Sequence, residues 1–135
     1  MIVFAVIDTN VMVSAMLSSH GDAATVRVVE KLFTGEIIPL YNAEIMDEYY
    51  DVLNRDKFPF PEDEINSMLS TIEKYGICVE TTSSGEVLPD TKDLPFYEVV
   101  LAKQDNDAYL VTGNIKHFPK KPFIVTASQL LDIMK

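Results

Sequence analysis

The apolar residues of this chain alternate between two patterns, one typical of buried strands and one typical of amphipathic helices. Seven apolar residues run without a break from Met1 to Ile7, as in a central strand that is buried on both faces. Helical spacing is clearest over 62–75, where apolar residues recur at i, i+3, i+4 and i+7. The same patterns predict strands at 2–7, 37–40, 77–79, 108–111 and 123–125, and helices at 9–18, 23–34, 43–55, 62–75, 94–104 and after Thr126.

Strands that alternate with helices predict a parallel sheet with helices on both of its faces. In such sheets, ligands bind beyond the carboxyl ends of the strands, near the point where the strand order reverses. Polar residues stand at two predicted strand ends, in the segments Asp8-Thr9-Asn10 and Thr112-Gly113-Asn114. Asp8 is the most informative of them, because a carboxylate at a buried strand end needs a cation or hydrogen-bond donors to offset its desolvation.

Three further acids stand where they could reach the same cleft. On the helical wheel of 43–55, Glu48 lies at the edge of the apolar arc, whereas the other acids of that helix fall on the solvent side. Asp93 precedes the apolar run of the 94–104 helix, and as an N-cap it would only satisfy backbone amides. Glu98 is the one charged residue within that run, so it needs either a basic partner or a place in the polar cleft.

Carboxylates that are brought together repel one another, and a bound divalent cation offsets that repulsion. Oxygen ligands of this kind favour Mg²⁺ or Mn²⁺ over zinc. His20 and His117 lie far apart with no partner at ligand spacing, so both are expected to be surface residues and not zinc ligands. Glycine-rich phosphate loops, dinucleotide fingerprints and nucleophile elbows are absent. A phosphoryl-transfer enzyme of the haloacid-dehalogenase type is a minor alternative, because that family needs a second Asp where Asn10 stands.

The composition indicates a compact globular chain and restricts the kinds of partner that the protein can bind. The chain has 135 residues, of which 47% are apolar, so we expect one domain over 1–135. The apolar runs are too short for a membrane span or a signal peptide, and we expect a cytoplasmic protein. Cys78 is the only cysteine, which excludes a disulfide framework, and it is expected in the core. The net charge of −10 argues against a broad basic surface for nucleic acid, but not against an enzyme that meets phosphates through bound metal.

Taken together, these residues resemble the PIN domain family over nearly the whole chain. The motifs that carry the resemblance are Val6-Ile7-Asp8-Thr9-Asn10-Val11, Glu48 in a helix ending near Leu53-Asn54-Arg55, Pro89-Asp90-Thr91-Lys92-Asp93-Leu94-Pro95-Phe96, Ala108-Tyr109-Leu110-Val111-Thr112-Gly113-Asn114, and His117-Phe118. The resemblance implies a three-layer α/β/α fold with a five-stranded parallel sheet of order 3-2-1-4-5. That order would place the Asp8 and Thr112 strand ends at the reversal, where the cleft is expected.

The same resemblance implies cleavage of RNA with Mg²⁺ or Mn²⁺ as the cofactor. Matched by position, Asp8, Glu48 and Asp93 would be the catalytic, metal-binding acids, with Asn10 and Thr112 as polar supports. The subtype is similar to small PIN proteins assigned as toxins of toxin–antitoxin pairs. RNA would then be the substrate, and an antitoxin protein would be a partner.

One position departs from the family pattern. The family usually has a fourth acid after Thr-Gly, and this chain has Asn114, which brings a ligand oxygen but no charge. Glu98 could supply the missing charge as a further metal ligand. The alternative to an active ribonuclease is a PIN-like binding module with a weakened metal site that acts through a protein partner. The sequence does not determine whether a homodimer forms. It also does not determine which residues bind the RNA, although the basic candidates are Arg55, Lys57, Lys116, Lys120 and Lys121.

Overall fold

A computed structural model describes residues 1–135 as a parallel sheet flanked by helices on both faces. The strands are β1 (Val3–Ile7), β2 (Ile37–Tyr41), β3 (Ile77–Cys78), β4 (Tyr109–Val111) and β5 (Ile124–Val125). The helices are α1 (Thr9–Leu17), α2 (Ala24–Thr34), α3 (Ala43–Leu53), α4 (Glu62–Tyr75), α5 (Leu94–Ala102) and α6 (Ala127–Ile133). None of these helices has the length and apolar character that crossing a membrane requires.

The five strands are all parallel and follow the order β3-β2-β1-β4-β5, which confirms the predicted topology. In the pairing of β1 with β4, Ala5 lies opposite Tyr109 and Ile7 lies opposite Val111. In chain order, β2 and β3 are added on one side of β1, and β4 and β5 are then added on the other side of β1. The strand order therefore reverses between β1 and β4, and the residues that follow these two strands meet there.

Two apolar cores, one on each face of the sheet, explain why β1 is an unbroken apolar run. Val3, Ala5 and Ile7 belong to the core beneath α2 and α6, whereas Val6 belongs to the larger core beneath α3, α4 and α5. Successive side chains of a strand point to opposite faces, so a strand buried on both sides must be apolar at each position. The first polar residue of this segment, Asp8, marks the carboxyl edge of the sheet.

The ends of several helices follow from local chemistry. The Asn42 side chain accepts a hydrogen bond of 2.9 Å from the backbone N–H of Ile45 and so caps α3. Thr126 and Gln129 form a reciprocal capping box at the start of α6. Gly35 ends α2 with a φ of 83°, a left-handed conformation that favours glycine. Of these helix ends, the Asn42 cap bears on the carboxyl edge, because it sets the start of the helix that carries Glu48.

One prediction about the core is wrong. Cys78 was expected to be a small buried hydrophobe, but it is exposed. β3 contains only two residues and forms the edge of the sheet, so its side chains lack a covering helix. The pattern of apolar residues does not reveal which strand lies at an edge.

Candidate functional site

A cleft of about 740 Å³ opens beyond the carboxyl end of β1, bordered by α1, α3 and the turn that precedes α5. Four acids line it, namely Asp8, Glu48, Asp90 and Asp93. The cleft therefore lies where open α/β sheets place their ligands. It brings together the three acids that the sequence singled out as catalytic.

Asp8 is buried at the centre of this arrangement. The Thr112 hydroxyl donates to Asp8 Oδ2 at 2.7 Å, and Asn10 Nδ2 donates to the same oxygen at 3.2 Å. Burial raises the Asp8 pKa from 3.8 to about 6; the Thr112 bond lowers this pKa in part, and the charge of Asp93 raises it further. Asp8 thus remains a costly anion even with two donors beside it.

Asn10 and Thr112 each make a second hydrogen bond, and the one from Asn10 joins the two strand ends. Asn10 Oδ1 accepts from the backbone N–H of Gly113 at 3.0 Å. Thr112 Oγ1 accepts from the backbone N–H of Asn114 at 2.9 Å. Both side chains were expected to act as polar supports, and each holds Asp8 while tying the segment after β1 to the segment after β4.

Glu48 lies half-buried on α3, at the edge of the apolar arc, as the helical wheel predicted. Thr9 Oγ1 donates to Glu48 Oε2 at 2.5 Å. Burial raises the Glu48 pKa, the Thr9 bond opposes that rise, and the charge of Asp8 adds to it. The adjacent Tyr49 donates its hydroxyl to the carbonyl of Ile7, which holds α3 against β1. Thr9 was not anticipated as a site residue, although its position directly after Asp8 was a signal.

Asp93 does not cap α5, so the capping role considered for it is wrong. Its backbone is helical, with φ −79° and ψ −18°, and its side chain makes no capping bond. Asp90 does the local capping instead, since its Oδ1 accepts from the Lys92 N–H at 2.9 Å. Asp93 Oδ2 is buried without a hydrogen-bond partner. The carboxylate is therefore left available to a cation.

The side chain closest to the Asp93 carboxylate that can carry a positive charge is that of His117, which is exposed, as expected of a surface residue. Its Nδ1 lies 3.4 Å from Asp93 Oδ2, within ion-pair distance when the imidazole is protonated, but outside hydrogen-bonding geometry. Burial raises the Asp93 pKa, the charge of Asp90 raises it further, and His117 lowers it. An exposed imidazole is a weak counterion for a carboxylate in this position.

Two further metal candidates do not line the acid cleft. Glu98 Oε2 accepts a 2.7 Å bond from the backbone N–H of Ser84, so the hypothesis that it faces the cleft beside Asp8 is wrong. Asn114 is exposed and borders a separate depression together with His117. Glu98 finds its partner in a loop amide, and it anchors the loop that leads to the turn before α5.

The basic candidates divide into two groups. Arg55 and Lys57 line the cleft, and they are joined there by Lys92, which the sequence did not single out. Lys116 borders the depression of Asn114, and Lys120 and Lys121 do not line the cleft. Lys92 also lowers the pKa of Glu48 through its charge, which places it within electrostatic reach of that acid.

The acids fit a divalent cation by chemistry, but they do not form a closed cage. No group of three or more His, Cys, Asp or Glu side chains stands close enough together to hold a metal. The carboxylates nevertheless offer only oxygen atoms as metal ligands, and the pKa values of Asp8, Glu48 and Asp93 are all raised. One buried carboxylate oxygen, Asp93 Oδ2, also lacks a hydrogen-bond partner. Mg²⁺ commonly keeps several waters and takes only one or two carboxylates. These residues suit that hydrated mode of binding.

The family model described as PIN domain matches residues 5–116. This chain belongs to the PIN domain family. PIN domains are generally metal-dependent nucleases, and the matched range contains Asp8, Glu48, Asp93 and Thr112. Comparison with curated proteins and with solved structures finds no match.

Proposed function

We propose that this PIN domain is an endoribonuclease that depends on Mg²⁺ or Mn²⁺, with Asp8, Glu48 and Asp93 as its metal-binding acids. The observation that carries the proposal is the convergence of these three carboxylates in one cleft, each with a raised pKa. Such a grouping is costly for the free protein and becomes favourable when a cation is bound.

Neighbouring side chains orient two of the three acids, Asp8 and Glu48, each through one carboxylate oxygen. Thr112 and Asn10 both donate to Oδ2 of Asp8, which leaves Oδ1 without a side-chain donor. Thr9 holds Glu48 through Oε2 alone. When bound, a divalent cation would activate water and offset the charge of the phosphodiester. The protein's own contribution is to keep the acids in place and partly shielded from bulk water.

Cleavage of single-stranded RNA in the presence of Mn²⁺ tests the proposal. Asp93→Asn and Glu48→Gln should each lower the rate at least tenfold, because loss of a ligand costs no less than loss of a residue that merely orients one. Asp105→Asn changes an exposed acid outside the cleft and should leave the rate unchanged. Full activity in EDTA, or full activity of both site variants, would refute the proposal.

We also propose that the chain is the toxin of a toxin–antitoxin pair and acts on RNA in the cytoplasm. The support for this is the similarity of its motifs to the small PIN proteins of that kind. Expression in a bacterial host should arrest growth, and Asp93→Asn should relieve the arrest. Co-expression of a small protein encoded beside it should restore growth of the wild-type strain. Growth arrest that persists in the Asp93→Asn strain would count against this role.

A second candidate function is a binding module with a weakened metal site. Two observations favour it, the uncharged Asn114 and the lack of a compact group of metal-binding side chains. It predicts that millimolar Mn²⁺ neither raises the melting temperature nor supports RNA cleavage, while binding to a protein partner persists. A homodimer is a separate prediction, which sedimentation velocity tests.

A further inference from the structure

Part of the cleft lining is basic and aromatic, although the chain as a whole carries a net charge of −10. Arg55, Lys57 and Phe58 come from the segment between α3 and α4, and Lys92 comes from the turn before α5. We call these four residues the basic platform. Cations gathered at one place on so acidic a protein suggest an anionic ligand at that place.

Phe58 is not explained by packing. It belongs to neither apolar core and is only half-buried. Phe60, in contrast, packs against the larger core and directly precedes Pro61, the N-cap of α4, where an apolar residue commonly anchors the start of a helix. The Phe58 ring stacks on Phe60 with centroids 5.3 Å apart and planes 17° apart. Phe58 is thus a cleft-lining ring held in place by an anchored neighbour.

The cations beside this ring are available to a ligand. Lys57 Nζ lies over the Phe58 ring, 5.1 Å from its centroid, so a base that stacks there displaces this exposed lysine side chain. Neither Lys57 nor Lys92 forms an ion pair. Arg55 pairs only with Asp51, at 3.5 Å and on the exposed surface of α3, where such a pair is weak. An aromatic face flanked by free cations is the combination that binds unpaired nucleotides.

We propose that the basic platform binds a single-stranded segment of the RNA substrate, with a base stacked on Phe58 and phosphates held by Lys57, Lys92 and Arg55. This inference rests on the proposed ribonuclease function and assigns the residues that hold the RNA beside the acids. A base can reach the ring only when it is unstacked from its neighbours, which excludes a regular duplex. Stacking and phosphate contacts carry little sequence information, so we expect weak sequence preference.

Fluorescence anisotropy with a labelled ten-nucleotide single-stranded RNA tests the platform, with Ca²⁺ replacing Mn²⁺ to limit cleavage. Phe58→Ala should weaken binding by about 5- to 150-fold, the range expected for loss of one base–aromatic stack. Phe58→Trp keeps a stacking face and should retain wild-type affinity. Phe33→Ala, an exposed aromatic residue in another depression, should bind RNA as the wild type does.

The charged part of the platform is tested by the dependence of affinity on salt. The double variant Lys57→Gln and Lys92→Gln should bind more weakly, and its slope of log affinity against log salt should be shallower by about 0.7 for each phosphate that the variant no longer neutralises. The matched double variant Lys74→Gln and Lys135→Gln removes the same charge from exposed positions outside the cleft and should keep the wild-type slope.

The outcomes separate the platform from the catalytic proposal. Wild-type affinity in the Phe58→Ala variant, equal affinity for an RNA duplex, or no binding of single-stranded RNA by the wild type would each overturn the platform. Cleavage is scored in parallel with Mn²⁺. A wild type that binds in a Phe58-dependent manner but does not cut refutes the ribonuclease proposal and leaves the binding site standing. A wild type that cuts while Phe58→Ala binds and cuts equally well refutes the platform alone.

Discussion

Replacing Asp8 with asparagine should stabilise the metal-free protein at neutral pH and leave its stability almost unchanged near pH 4. Both side-chain donors to Asp8 bond to Oδ2, so an amide oxygen can accept the same two bonds while the NH₂ group takes the place of Oδ1. The substitution keeps the shape of the side chain. It removes only the charge that burial makes costly.

The size of the effect follows from the raised pKa. Burial moves the Asp8 pKa from 3.8 to about 6, so between these values the folded protein holds a proton that the unfolded chain has released. Stability is therefore lost as the pH rises through this window. At about 1.4 kcal/mol for each pH unit, the loss above pH 6 is about 3 kcal/mol. Asp8→Asn should recover up to this amount at pH 8.

Urea unfolding in EDTA between pH 4 and pH 8 measures the difference directly. Asp105→Asn removes an equal charge from the surface and serves as the control, with no stabilisation of comparable size expected. Adding Mn²⁺ should reverse the ranking once the cation is at about 1,000 times its Kd, because it then stabilises the wild type by about 4.1 kcal/mol, which exceeds the cost of the buried charge. If Asp8→Asn is less stable than the wild type at pH 8 in EDTA, or if the difference does not vary with pH, the reasoning about the buried carboxylate is wrong.

Three further predictions concern the residues around the acids. Thr112→Val keeps the side-chain shape but removes the donor to Asp8, and should cost about 2 kcal/mol of stability at pH 8 by urea unfolding, whereas Thr112→Ser should restore most of it. Glu98→Gln should leave Mn²⁺ affinity unchanged by calorimetry, because Glu98 bonds to a loop amide outside the cleft; a clear fall in affinity would contradict its placement. His117→Ala should raise the Asp93 pKa further, measured from the carboxyl ¹³C shift, since His117 lowers that pKa; an unchanged titration would mean that the pair does not form in solution.

Much of the fold could be predicted because its signals are local and repeated. The unbroken apolar run before Asp8 follows from burial of β1 between two cores. The amphipathic spacing of α3 placed Glu48 at the edge of the buried arc, where it lies. The order of the strands came from the resemblance to a family. The rules for parallel sheets then predicted that the segments after β1 and β4 lie close together.

The site could be predicted less completely, because part of it depends on the path of loops. Asp93 looked like a helix cap, but it is the last residue of a 3₁₀ turn, which gives its backbone a helical conformation and leaves the carboxylate without a capping bond. Glu98 was expected either to find a basic partner or to face the polar cleft, but a backbone amide of the loop that ends near residue 90 satisfies it. Lys92 carried no periodic signal at all. Such positions depend on turn geometry, which the distribution of apolar residues does not encode.

The bond between Thr112 and Asp8 joins residues 104 positions apart in the chain. A contact of such long sequence separation forms only after most of the intervening chain has been made and folded. A chain still emerging from the ribosome has Asp8 early but lacks the hydroxyl that holds it. The arrangement of acids is therefore a late product of biosynthesis, and a partly made chain does not carry the complete cleft.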